Sequence, residues 1–153
     1  LEGLDKLDEP LTNITFETNG TRKLDNLLRD QILVRTLRDN TEFFFSVSPK
    51  IWSTSGEKDR ICPDIVQRYY EVSNVGQLKF VCNGTDDSWN EIEDAIKQFR
   101  AAGIEYPIWI MPVGATEESQ DDLAPRVAEQ TMDRGYNVAA RVHCYIWGNE
   151  IGR

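Results

Sequence analysis

Five short polar segments hold the side chains of this chain best able to do chemistry. They are Glu17-Thr18-Asn19-Gly20, Ser46-Val47-Ser48-Pro49-Lys50, Lys79, Met111-Pro112-Val113-Gly114 and Arg141-Val142-His143. Together they offer a carboxylate, an amide, hydroxyls, two ammonium groups, a guanidinium and the single imidazole of the sequence. Such a set suits a small polar ligand, which is held by a few convergent hydrogen-bonding and charged groups. It does not match the common hydrolytic or nucleotide-binding patterns. The sequence has no Ser/His/Asp order, no Walker loop and no G-x-G-x-x-G.

Each segment also has a plainer reading. Asn19-Gly20 is by itself a turn signal. Ser48-Pro49 can simply end a strand, because proline biases the preceding residue to extended geometry. Lys79, between Leu78 and Phe80, can snorkel from a buried strand to water. A lone histidine such as His143 is commonly a satisfied core residue. The acidic runs Asp86-Asp87 and Glu117 to Asp122 read as solvated helix starts, where the helix dipole favours negative charge.

The three cysteines, Cys62, Cys82 and Cys144, are far apart and odd in number. Without a CxxC spacing they encode neither a zinc site nor a cluster, and they read as reduced thiols in or near a core. No signal peptide is evident, so a cytoplasmic location is expected. The opening Leu1-Glu2-Gly3-Leu4-Asp5 has no initiator Met and reads as a sequence entered partway through a gene. Three N-glycosylation matches, at Asn13, Asn19 and Asn83, are short enough to arise by chance. With 26 acidic against 17 basic residues the net charge is −9, without the basic footprint of a duplex-binding surface, so no direct nucleic-acid partner is expected. No apolar run approaches the ~20 residues of a membrane span.

The elements that must position these segments alternate. Leu1 to Leu7 reads as a helix end and Asn13 to Glu17 as a strand. Leu24 to Val34 reads as helical, and Glu42 to Val47, with three consecutive phenylalanines, as a strand buried on both faces. A polar loop is expected from Ser53 to Arg60, a helix from Pro63 to Val72 and a strand from Gln77 to Cys82. The clearest helix is Asp87 to Ala102. Ser88 and Glu91 form an S-x-x-E capping box there, and Trp89, Ile92, Ile96 and Phe99 form an apolar stripe. Tyr106 to Met111 reads as a strand, Asp122 to Arg134 as a helix and Tyr136 to Cys144 as the last strand. The order predicts an α/β fold with a parallel sheet, whose ligands lie beyond the C-terminal ends of the strands. Five strands suit an open sheet or part of a (βα) barrel. The whole chain, 1–153, reads as one domain or part of one.

Taken in order, the strand ends resemble the 7-carboxy-7-deazaguanine synthase family of the radical S-adenosylmethionine superfamily. The resemblance is carried by Glu17-Thr18-Asn19-Gly20-Thr21, Ser46 to Lys50, Leu78-Lys79-Phe80-Val81, Met111 to Gly114, and Arg141-Val142-His143 followed by Trp147-Gly148-Asn149. It implies the C-terminal portion of a partial-barrel radical S-adenosylmethionine fold. The reaction it implies converts 6-carboxytetrahydropterin to 7-carboxy-7-deazaguanine with loss of ammonia, on the route to queuosine and related 7-deazaguanines. The implied cofactors are S-adenosylmethionine, a [4Fe–4S] cluster served by a reductant, and Mg²⁺.

By the same resemblance, Ser48, Pro49 and Lys50 contact S-adenosylmethionine, and Met111, Pro112, Val113 and Gly114 lie along its adenosyl moiety. Glu17 and Asn19 stand near the cofactor. Arg141 and His143 fall nearer the pterin as hydrogen-bonding residues. The family's cluster-binding cysteines, its Mg²⁺ ligand and its Gly-Gly-Glu-Pro motif precede the matched region and are absent from this sequence, so this chain alone is expected to be inactive. Family members tend to be homodimers. Competing readings are another small radical S-adenosylmethionine enzyme, such as a glycyl-radical activase, and a non-catalytic α/β nucleotide-binding module.

Overall fold

Strands β1 (Asn13–Thr18), β2 (Glu42–Val47), β3 (Gly76–Cys82), β4 (Ile108–Pro112) and β5 (Asn137–Val138) form one sheet in the order β1-β2-β3-β4-β5. Every neighbouring pair is parallel. This arrangement comes from a computed structural model, which describes residues 11–147, the side chain of His143 excepted. The proposed helix end at Leu1 to Leu7 and the Gly148-Asn149 motif lie outside the described residues. Helices α1 (Asn26–Asp39), α2 (Trp52–Ser55), α3 (Pro63–Val72), α4 (Asp86–Ala101) and α5 (Glu117–Asp133) fill the crossovers, and α6 (Val142–Trp147) follows β5. Parallel crossovers are right-handed, so strands laid down in sequential order put the helices on one face of the sheet. That is the arrangement of an arc of a (βα) barrel, and it leaves the other face open.

The two faces are written in the alternation of side chains. On β3, Leu78, Phe80 and Cys82 are buried while Gln77, Lys79 and Val81 are only partly covered. Phe43, Phe45 and Val47 of β2 and Ile108 and Ile110 of β4 join the buried set. Against them pack Val66 and Tyr69 of α3, Trp89, Ile92, Ala95 and Phe99 of α4, and Val127 of α5. The four-residue apolar stripe expected of α4 is buried throughout, and each such side chain contributes about 1.5–3 kcal/mol. Phe45 stacks between Phe16 (5.2 Å) and Tyr69 (5.0 Å), which clamps β1 and β2 to α3 directly beneath the strand ends.

Several boundaries differ from the sequence expectation. The N-cap of α4 is Thr85, whose extended backbone lets its hydroxyl accept from Ser88 N. Ser88 is instead fully buried, with its hydroxyl 3.6 Å from the Cys82 sulfur, and Glu91 accepts from Ser53 N. Helix α5 starts five residues before the expected Asp122, because Thr116 and Ser119 form a reciprocal capping box. The helix runs through Pro125, one turn after the start expected from the sequence. The loop from Ser53 carries a helical turn closed by Gly56 at φ 69.

The last strand is only Asn137–Val138, and the apolar segment beyond it turns into α6. A short apolar run reads equally well as strand or helix. Arg141 therefore precedes a helix and His143 lies within one, rather than on a strand. The three cysteines are free, with Cys82 and Cys144 buried and Cys62 half-buried. No helix among the described residues is long and apolar enough to cross a membrane.

Candidate functional site

Register brings the polar residues of the first three strands into rows on the open face. Glu17 pairs with Ser46, and Ser46 with Gln77. Gln77 Nε2 donates to Ser46 Oγ at 2.9 Å, which leaves the Ser46 hydroxyl proton available. One step further, Ser48 N donates to Thr18 O at 2.7 Å, and Ser48 Oγ donates to Lys79 O at 3.0 Å. These rows bound a cavity of about 310 Å³ lined by Glu17, Thr18, Asn19, Ser46, Ser48, Lys50 and Lys79. It lies at the C-terminal ends of β1 to β3, where ligands of parallel α/β folds sit.

The loop after β1 is tightly specified. Asn19 Oδ1 accepts from both Thr21 N (3.2 Å) and Thr21 Oγ1 (2.7 Å), so only the amide nitrogen of Asn19 is left to face a ligand. Gly20 takes φ +78, and a Cβ there would sit 3.0 Å from methyls of Val47 and Val66. Asn83-Gly84-Thr85 repeats the device after β3: Gly84 has φ +75, and Asn83 Oδ1 accepts from Thr85 N and Oγ1. Both Asn-Gly-Thr matches are thus strand-end turns.

The side chains of Glu17, Lys50 and Lys79 have no hydrogen-bond or salt-bridge partner among the described residues. Two cations and one anion therefore face a common space in a chain of net charge −9. Lys50 also borders a larger cavity of about 530 Å³ between α2, the loop after it and α4. There Glu57 pairs with Arg60 (2.9 Å), Asp94 with Lys97 (2.9 Å), Glu91 accepts from Ser53 N (3.1 Å), and Lys58 lies over the Trp52 ring (5.1 Å), while Asp59 has no side-chain partner among the described residues. The smaller cavity is the one where all three charged side chains, Glu17, Lys50 and Lys79, lack a partner among the described residues.

Of the residues expected from sequence, Glu17, Asn19, Ser48 and Lys50 share this cavity, and Pro49 is buried between the last two. Met111 and Pro112 end β4, Val113 and Gly114 follow it, and none of the four lines the cavity. Gly114 has φ +131, and its missing Cβ faces the protein: a methyl there would meet Ser119 Oγ at 2.5 Å and Gln120 Nε2 at 2.8 Å. The fully buried Gln120 donates to Val113 O (3.2 Å) and Gly114 O (3.1 Å) and fixes this turn. The glycine is thus required by the first turn of α5. Arg141 has a buried Nε without a hydrogen-bond partner. His143 is on α6, its side chain outside the described residues.

No protein-family model matches the chain. A curated relative from Rhodopirellula baltica is 26% identical over 161 aligned residues, which take in 97% of this chain. That relative is a 7-carboxy-7-deazaguanine synthase. The chain spans 56% of the relative's length.

Sequence reasoning gave Ser46 and Lys79 no specific role and passed over Gln77 and Gln120. For the first three the signal was present. Gln77, Lys79 and Val81 alternate with Leu78, Phe80 and Cys82, so a buried strand face implies a polar open face. Nothing in the sequence distinguishes Gln120 from a solvated helix residue.

Proposed function

We propose that this chain is the cofactor- and substrate-holding part of a radical S-adenosylmethionine lyase that converts 6-carboxytetrahydropterin to 7-carboxy-7-deazaguanine with loss of ammonia. In this reading, residues 1–153 are the C-terminal part of the radical S-adenosylmethionine core domain. The observation that carries the proposal is the shared cavity of Glu17, Asn19, Ser48 and Lys50. These residues come from two separate motif segments of the family resemblance and converge at the strand ends. The match to the Rhodopirellula synthase along 97% of the chain supports the same reading.

The cavity fits one end of S-adenosylmethionine. Its volume of about 310 Å³ is at the low end for small-molecule sites and suits the amino-acid portion. Lys50 would donate to the cofactor carboxylate, Glu17 would accept from its amino group, and Ser48 Oγ would accept from a ribose hydroxyl. The adenosyl portion would extend along the rim toward Met111 to Gly114, and Arg141 and His143 would hydrogen-bond the pterin. When bound, S-adenosylmethionine supplies the radical that abstracts a substrate hydrogen. Among the described residues no three His, Cys, Asp or Glu side chains converge, so these residues do not fit a cluster or a Mg²⁺ site.

The test is anaerobic incubation of the protein as its gene encodes it, after cluster reconstitution, with S-adenosylmethionine, reductant, Mg²⁺ and 6-carboxytetrahydropterin. The expected products are 7-carboxy-7-deazaguanine and ammonia. S-Adenosylmethionine binding without either product would overturn the lyase reading in favour of a binding module.

A further inference from the structure

Lys79 lies in the middle strand of the sheet, on the face away from the helices, and is half-buried. Its side chain lines the cavity beside Lys50, Glu17, Ser46 and Ser48. A lysine here has two explanations. Its stem can cover the sheet while the ammonium reaches water, or the ammonium can be held for an anionic ligand.

Three observations favour the second. Lys50, a second lysine without a side-chain partner, lines the same cavity, and an anion bound there would offset the repulsion between two like charges. The chain is strongly acidic, with net charge −9, so two neighbouring lysines are not the product of a generally basic surface. The cavity's one carboxylate, Glu17, forms a salt bridge with neither lysine. Ser46 adds a hydroxyl donor, because its oxygen already accepts from Gln77. The unsatisfied groups are therefore mostly donors, which match an acceptor with two oxygens.

We propose that Lys79 is a specificity-determining residue that binds a ligand carboxylate in this cavity. This inference rests on the functional reading above and names the group that the cavity recognises. Two ligands of that reading carry a carboxylate: S-adenosylmethionine on its amino-acid end, and the pterin at its 6 position. Lys79 reads the carboxylate of one of them.

The test is calorimetric titration of the protein as its gene encodes it, wild type and Lys79→Met, with two ligand pairs. One pair is S-adenosylmethionine and its decarboxylated form; the other is 6-carboxytetrahydropterin and tetrahydropterin. Methionine keeps the length of the stem and removes the charge. Lys79→Met should weaken the carboxylate member of one pair about tenfold, the range of a lost charge-assisted hydrogen bond, and its decarboxylated partner by less than about twofold. The affected pair identifies which carboxylate is bound. Lys79→Arg should bind that ligand more tightly than Lys79→Met, and it keeps the comparison open if the methionine variant folds poorly. Equal affinities of wild type and variant for the carboxylate ligands, or equal losses within each pair, would overturn the inference alone. Failure of the wild type to bind any of the four would overturn the functional reading and the inference with it.

Discussion

Ser48 donates its hydroxyl proton to the backbone oxygen of Lys79 at 3.0 Å, tying the end of β2 to β3 at the floor of the cavity. The residue expected to touch a ligand is thus also a structural link between strands. Ser48→Ala should lower stability by about 1 kcal/mol, the net worth of one such bond, and should weaken ligand binding as well. Urea unfolding measures the first effect and titration the second. A variant as stable as wild type would remove the link from the account.

Gly114 is held by packing. Gly114→Ala should destabilise by roughly 2–4 kcal/mol, combining backbone strain at positive φ with overpacking against Ser119 and Gln120. Gly135 also has positive φ but has open space around it, so Gly135→Ala should cost only about 1–2 kcal/mol. Equal losses for the two would mean that the contact with α5 is unimportant.

Thr85 caps α4, whose buried stripe anchors the sheet. Thr85→Ala should cost about 1 kcal/mol, as lost caps do. Denaturant midpoints would check this, and an unchanged midpoint would refute the cap.

The sequence made the broad architecture legible because its strongest signals are periodic. Phe43 to Phe45 announced a strand, in which Phe43 and Phe45 are buried while Phe44 is only partly covered, rather than buried as expected of a strand covered on both faces. Trp89, Ile92, Ile96 and Phe99 announced the helix beside it. The alternation of helical and extended segments then implied the parallel sheet. Boundaries were less legible where one residue could serve two roles. Ser88 fits the capping pattern, but Thr85, three residues earlier, occupies the extended position that a cap requires. The segment after Tyr136 is apolar without a clear period, and only tertiary pairing limits β5 to two residues. At the site, Glu17, Asn19, Ser48 and Lys50 were readable as strand-end polar residues. Their convergence needed the register Glu17–Ser46–Gln77, which no local pattern encodes.

Tyr106 is fully buried and donates to Ser73 O at 2.7 Å. Burial, with a smaller contribution from Tyr70, raises its pKa well above that of an ordinary tyrosine. The neutral phenol is the form that the fold accepts, so its contribution is complete below the unfolded-state value of about 10 and declines as pH rises beyond it. Stability of the wild type should fall above about pH 10, and Tyr106→Phe should flatten that fall while losing about 1–3 kcal/mol at neutral pH from the unpaired Ser73 oxygen. Thermal melts from pH 7 to 11 would reveal both effects, and parallel pH profiles for the two proteins would contradict the assignment.

In the proposed function, the cavity at the ends of β1 to β3 holds S-adenosylmethionine. Equilibrium dialysis of the labelled cofactor against the reconstituted protein, wild type and Lys50→Ala, tests it most directly. Lys50 has no partner within the described protein, so its loss should leave the fold intact and weaken binding about tenfold or more. Unchanged affinity in a folded Lys50→Ala protein would contradict the account.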